Sequence, residues 1–317
     1  MLRFLSARLV LLVAGLVLAS VLVFLTLRVL PGDVAQVLGG MQATDAQLRA
    51  IRENLGLDRP LIVQYLDWVG GLVRFDLGNS LVTGSPVAAE LAQKAQVTVP
   101  LALLSLLFSI LISFPLGFLA AVHHRRPSGT ILSFGAQAVA SIPAVWAGMV
   151  LAIVFGLVLG WLPVGGFPRD GWADPGKALV SLILPAITIA LIEGAVLLRF
   201  VRSAVLEVIG TDYVRAGAAH GRTRTQALLI HGLPNAGLSL VTVFGLQVAT
   251  VLVGAVVIEQ LFNLPGIGRM LVGDVGGRDL VKVQSEIFVM TAFVLVVGFA
   301  IDIVHRLIDP RQRQRAA

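Results

Sequence analysis

The sequence predicts an all-α integral membrane protein with six transmembrane helices. Three observations carry this expectation: the make-up of the chain, its apolar windows, and the sign of the charges between them. Of 317 residues, 57% are hydrophobic and 13% are charged, and the mean hydropathy is +0.91. An average soluble domain is roughly 45–50% apolar. So few charges cannot clothe a water-soluble globule of this size, whose surface already exposes much apolar area. A soluble cytosolic, nuclear or extracellular enzyme is thereby excluded. Cysteine is absent, which removes disulfides, thiol nucleophiles and thiolate metal sites. Five scattered histidines without an HExxH pattern argue against a catalytic metal.

Crossing a hydrocarbon core takes roughly 20 apolar helical residues. Six stretches qualify: about residues 9–30, 97–122, 143–162, 178–198, 236–258 and 287–304. The third is cut from a longer window, Ile131 to Leu162, which holds Pro143 two residues after Ser141. Ser141 as an N-cap with Pro143 in the first turn would begin a new helix and leave Ile131 to Ile142 lying at the interface. The first stretch follows Arg3 and Arg8 as a signal peptide would. Its apolar run is longer than a typical signal core, however, and Arg28-Val29-Leu30-Pro31 is no small-residue cleavage site. It reads as a retained span.

A net charge of +6 raises the question of nucleic acid, and the distribution of the basic residues answers it. They form no run with interleaved aromatics and fall between apolar stretches, as in a polytopic membrane protein and not a nucleic-acid binder. With the N-terminus inside, the inner segments hold thirteen arginines: 3, 8, 125, 126, 199, 202, 215, 222, 224, 306, 311, 313 and 315. Only Glu207, Asp212 and Asp309 oppose them there. The outer segments hold the other eleven basic residues against thirteen carboxylates. This asymmetry predicts both termini on the cytoplasmic side.

Between the spans, the longest polar piece is outside, residues 31–96. Thr44 to Gln47 form a capping box, Leu48, Ile51 and Leu55 share a face, and Gly56 with Pro60 ends that helix. Leu61 to Phe75 is a second apolar segment with Tyr65 and Trp68, Asp76 to Ser80 reads as a turn, and Ser85-Pro86 as a helix start. The segment is either a folded linker over the outer mouth or a docking surface for an external partner. Inside, residues 199–235 carry two further signals. Thr211 is placed to cap a helix from Asp212 to His220 that Gly221 ends, and Thr223 to Gln226 form another capping box before Pro234 interrupts the chain. A basic outer side and the small residues Ala216, Gly217, Ala218 and Ala219 suit either a packed positive-inside loop or a helix that docks on a partner.

Two ionisable residues fall inside spans, Glu193 and Asp302. They offer proton or cation sites and hence an alternative reading, a secondary transporter or channel. The simpler reading pairs Glu193 with Arg199 or Arg202, and Asp302 with water or Arg306. Gly171 to Lys177 matches GxxxxGK, but Ala178 stands where the phosphate-binding loop needs Ser or Thr, and Pro175 removes a donor. It is a chance match.

The inner loop resembles that of the permeases of bacterial ATP-binding-cassette importers, whose motif is Glu-Ala-Ala, three residues, Gly, nine residues, Ile, one residue, Leu-Pro. Here Arg215-Ala216-Gly217, Gly221, His231 and Leu233-Pro234 keep that spacing. Arg215, Gly217 and His231 depart from it in the manner of the peptide and nickel branch. Leu30-Pro-Gly-Asp33, Leu55 to Pro60, Asp76 to Ser80, Ser141-Ile-Pro143, Trp161-Leu-Pro163, Asp212 to Arg215, Glu259 to Gly268 and Asp309-Pro-Arg311 are also similar to that branch, and to its first permease subunit, the dipeptide permease B type.

The resemblance implies a type I importer permease fold in one transmembrane domain over residues 1–317, in the bacterial plasma (inner) membrane. It implies a non-catalytic subunit that pairs with a homologous second permease. Two cytoplasmic ATPase subunits, or a fused ATPase, and an extracytoplasmic solute-binding protein complete the assembly. ATP and magnesium are expected on the ATPases, with no cofactor or metal in this chain. Coupling to the ATPases falls on Asp212, Tyr213, Arg215, Ala216, Gly217, Ala218, Gly221, Arg222, His231, Leu233 and Pro234. Dipeptides, oligopeptides, nickel chelates and haem all remain open as the transported solute, and no substrate contact is assigned.

Overall fold

The structure is a computed structural model that describes residues 2–29, 35, 39–40, 43–54 and 56–308. The motifs Leu30 to Asp33 and Asp309 to Arg311 lie outside the described residues. Twelve helices follow in chain order among those described, several of them longer than their apolar windows. The first is α1 (Leu2–Val29), then α2 (Asp45–Asn54), α3 (Leu61–Val73), α4 (Val87–Val122) and α5 (Pro127–Ala140). Helix α6 (Ala144–Leu151) runs on into a π-helical turn, Ala152–Val158. After α7 (Pro175–Val208) come the short α8 (Asp212–Ala219) and α9 (Arg224–Ala227), the latter continuing through a π-helical turn, Leu228–Gly232, into α10 (Leu233–Leu261). Helices α11 (Ile267–Gly276) and α12 (Leu280–Ile308) close the chain.

Five of these helices are long and apolar enough to cross a membrane; α5 and α6, bent by 100° where they meet, supply a sixth crossing if taken as one broken span. The bend corrects the expected role of Ser141. Its hydroxyl donates back to the carbonyls of Gln137 (3.1 Å) and Ala138 (2.8 Å), so it ends α5, and Pro143 occupies the N-cap of α6. The start of α4 differs in the same way. Its first residue is Val87, because Pro86 is held in an isolated bridge with Asn79. On α7, Asp174 is the N-cap and accepts from the Lys177 amide with Pro175 behind it, so Gly176 and Lys177 form a first helical turn and no phosphate loop. The Lys177 ammonium and amide hold the exposed Asp174 carboxyl below its usual range.

The helices gather into two compact units, one of Thr98–Leu264 with the described residues from Val297 on, the other of the described residues of Leu2–Val97 with Pro265–Val296. In the second unit Phe24 of α1 meets Tyr65 edge-on at 5.4 Å and stacks with Trp68 at 6.4 Å. Val23, Leu27 and Val283 form a small core beside them. The Asp76 to Ser80 turn is fixed from two sides. Asp76 accepts from the Gly78 amide, Ser80 donates to Asp279, and Ser285 donates to the Leu77 carbonyl. The described residues between α1 and α4 are thus a folded part of this unit, with the Thr44 capping box intact.

In the first unit α7 is the central helix. Its buried stripe runs from Ala178 to Val208 at helical spacing and packs on α5, α6 and α10. Phe114 of α4 stacks on Phe244 of α10 with centroids 6.0 Å apart. A buried hydrogen bond from Thr98 to Glu259 (2.6 Å) ties the two helices at a lower-numbered α4 position. Such ties matter in lipid, where apolar burial alone gives little drive for helices to associate.

Candidate functional site

The segment between α7 and α10 is a helix, a tight turn and a second helix. A core cluster holds it. Val214 of α8, with Ala227 and Leu228 beyond the turn, packs on Leu197, Val201, Val205 and Val208 of α7, on Ala121 of α4 and on Ala236 and Leu240 of α10. Val214 is 3% exposed and Leu228 1%. The segment is thus seated on the ends of the long helices by buried apolar contacts.

Local chemistry sets its shape. Thr223 makes the full capping box with Gln226, satisfying two backbone donors at the start of α9. Thr211 occupies the N-cap position of α8, but its hydroxyl donates to the Val208 carbonyl (2.7 Å) and caps nothing, contrary to expectation. At the other end the Ala216 carbonyl accepts from both the amide and Nδ1 of His220, and Gly221 turns the chain at φ +86°. Pro234 does not interrupt the chain. It sits in the first turn of α10, where a missing amide costs little, and the π-helical turn leads straight into it.

The residues assigned to coupling divide between two sides. Asp212, Tyr213, Arg215, Ala216, Gly221 and Arg222 are exposed. Asp212 and Arg215 form an open ion pair at 3.4 Å, of the class worth roughly 0–1 kcal/mol. Gly217 is buried, and Ala218, His231 and Leu233 are half-buried. His231 Nε2 lies 2.7 Å from Arg222 Nη1. A guanidinium only donates, so Nε2 is the acceptor in this contact. A Cβ at Gly217 would come within 2.7 Å of His231 Cδ2 and 3.2 Å of Ala227 Cβ. The anchors Val214, Ala227 and Leu228 escaped the sequence reading, although 214 and 217 stand one helical turn apart and so share a face.

Glu193 does not meet the arginines expected for it. Glu193 is half-buried and accepts from Gln247 (2.7 Å) and Thr250 (3.0 Å), both on α10. It is a hydrogen-bonded link between α7 and α10. Asp302 is half-buried on α12. Among the described residues no group of three His, Cys, Asp or Glu side chains is disposed to hold a metal ion.

Residues 113–314 match the family described as binding-protein-dependent transport system inner membrane component, and residues 1–102 match its N-terminal companion. The chain belongs to this family. The permease is 36% identical over 316 residues to the glutathione transport system permease protein GsiC of Escherichia coli, spanning 99% of this chain and 100% of the other. It is 37% identical over 339 residues to the di/tripeptide transport system permease protein DppB of Pseudomonas aeruginosa, with the same coverage. Among solved structures, the inward-facing methionine ABC transporter MetNI superposes with a TM-score of 0.59 over 69% of this chain and 96% of that one. At 19% identity that likeness concerns fold alone. The fold is that of a type I importer permease, and the permease is a multi-pass subunit of an ATP-binding-cassette importer.

Proposed function

We propose that this permease and a homologous second permease form the path for di- or oligopeptides, glutathione-like tripeptides included. In this reading two ATPase subunits, or one fused ATPase, dock on the inner loop, and an extracytoplasmic solute-binding protein delivers the solute. ATP and magnesium belong to the ATPases, and this chain holds no catalytic group. Both termini lie in the cytoplasm of a bacterial cell, as the thirteen inner arginines favour.

The observation that carries the coupling role is the anchored α8–turn–α9 segment, apolar toward the helix ends and polar outward. ATP binding that draws two ATPases together shifts such a segment as a body, and α7 and α10 follow. For that work the ATPases must contact the inward-open and outward-open states differently, since equal binding to both shifts nothing.

The test is reconstitution of the permease with its partner chains in proteoliposomes. ATP-driven uptake of labelled dipeptides, tripeptides and glutathione is expected, dependent on the binding protein. Uptake driven by an ion gradient without ATP would overturn the coupling reading. ATP-driven uptake restricted to non-peptide solutes would overturn the peptide assignment alone.

A further inference from the structure

Apart from the α8–α9 segment, the first unit carries a second basic feature at the same end of α7. Helices α5 and α7 border an open-sided cavity of about 350 Å³ lined by Ser133, Leu198, Arg199, Phe200, Arg202 and Ser203. Its charge is wholly positive. Arg199 donates to the neutral amide of Gln137 (2.7 Å), and among the described residues no carboxylate pairs with either guanidinium. Arg202 Nε is buried and meets no acceptor. Buried donors in native proteins are almost always paired, so this one calls for an acceptor from outside the chain.

The charge of the cavity and the apolar groups near it indicate the acceptor. Two guanidiniums three residues apart on one helix present forked donors of the kind that bind phosphate oxygens bidentately. Phe200 on the cavity wall is 39% exposed, and α5, which contributes Ser133, also exposes Ile131 and Phe134 one turn apart, at 69% and 72%. A free phosphate has no use for these exposed apolar groups, whereas an acyl chain does. Basic pockets between helices at the cytoplasmic face are the usual seat of anionic lipid headgroups.

We propose that the α5–α7 cavity binds the phosphodiester headgroup of an anionic phospholipid, with Arg199 and Arg202 on the phosphate and the acyl chains along Phe200, Ile131 and Phe134. The proposal rests on the cytoplasmic placement of the inner loop given above. The headgroup neutralises the arginines and ties α5 to α7 directly above the helix end that carries the coupling segment.

The test uses the complete permease–ATPase complex in detergent micelles doped with phosphatidylglycerol or phosphatidylcholine, with bound lipid counted by native mass spectrometry. The wild type should retain phosphatidylglycerol over phosphatidylcholine. Replacing both arginines (Arg199→Gln, Arg202→Gln) should weaken retention roughly thirtyfold, the factor two such contacts supply at a membrane surface. Arg202→Lys, which keeps the charge and loses the fork, should fall between. Folding is checked by elution volume and ATPase recovery, which a lipid contact leaves unchanged. Equal retention of the two lipids, undiminished retention in the double variant, or displacement by inorganic phosphate alone would each overturn the proposal. So would an oxidant-induced disulfide from Ser203→Cys to a cysteine introduced into the second permease, because a protein would then fill the cavity. Labelling of Ser203→Cys from the outer side would instead overturn the orientation, independently of the lipid count.

Discussion

The imidazole of His231 lies over the α-carbon of Gly217, so close that a methyl group there would stand 2.7 Å from its Cδ2. The two positions are also two of the three at which this loop departs from the Glu-Ala-Ala motif. Larger His in place of Ile and smaller Gly in place of Ala are therefore one packing solution. Gly217→Ala should destabilise the segment by about 1–3 kcal/mol through overpacking. In Gly217→Ala with His231→Ala the clash with the imidazole is gone, the tight contact with Ala227 remains, and part of the loss should return. Thermal unfolding of the four proteins in the double-mutant cycle measures the coupling, and strict additivity would show that the contact carries no weight.

Gly221 differs from Gly217 in having open space around its α-carbon, with nothing within 4 Å, and φ of +86°. Its requirement is conformational alone. A β-branched residue at positive φ is a true outlier, and the left-handed region costs ordinary residues about 1–2 kcal/mol. Gly221→Val should insert and fold yet reset the turn between α8 and α9, so that ATP hydrolysis continues with less uptake per ATP. Gly221→Asn, which tolerates that region, should retain most uptake. The ratio of solute imported to ATP hydrolysed is the measurement, and an unchanged ratio for a correctly inserted Gly221→Val would refute the coupling role of the turn.

Arg215 and Asp212 project from α8 with side chains 71% and 98% exposed. Among the described residues nothing needs their charges, since the ion pair between them is weak. Arg215→Glu should thus leave the unfolding temperature of the isolated permease within error and lower recovery of ATPase subunits when the complex is purified. The loss should grow milder at high salt, where surface charges are screened. Full recovery with normal uptake would reduce the loop's charge to an orientation signal.

What was legible in the sequence depended on how far apart the interacting residues lie. The capping boxes at Thr44 and Thr223 and the turn at Gly221 are written within four residues, and hydropathy alone places the long helices. Ser141 was ambiguous because serine before Ile-Pro serves as the end of one helix or the start of the next. Only the carbonyls of Gln137 and Ala138 in reach of its hydroxyl decide it. Thr211 was misread for the same reason, its hydroxyl turning back to Val208. Glu193 found its donors 54 and 57 residues away on α10, a distance at which no local pattern operates. The cavity at Arg199 and Arg202 was invisible as a site because the same arginines already served to orient the chain.

Lys282 and its neighbours in the second unit entered the sequence reading only as charges between spans, because its partners Glu90 and Asp274 lie on other helices. The ammonium is 2.8 Å from Glu90 and 2.9 Å from Asp274, and the lysine is 5% exposed. One turn along α12, Glu286 is fully buried beside Asp274. Lys282→Met leaves two carboxylates without their shared cation, and breaking a buried ion pair from one side costs about 3–5 kcal/mol. Glu286→Gln removes one of two crowded acids and should leave stability equal or higher. Adding Glu90→Gln to Lys282→Met should recover part of the loss, because one of the abandoned charges is then gone. Thermal unfolding of the purified complex checks the order: wild type near Glu286→Gln, then the double variant, then Lys282→Met. If Lys282→Met unfolds at the wild-type temperature, the lysine does not bind α4, α11 and α12 together. If Glu286→Gln proves the most damaging, Glu286 makes an interaction that depends on its charge.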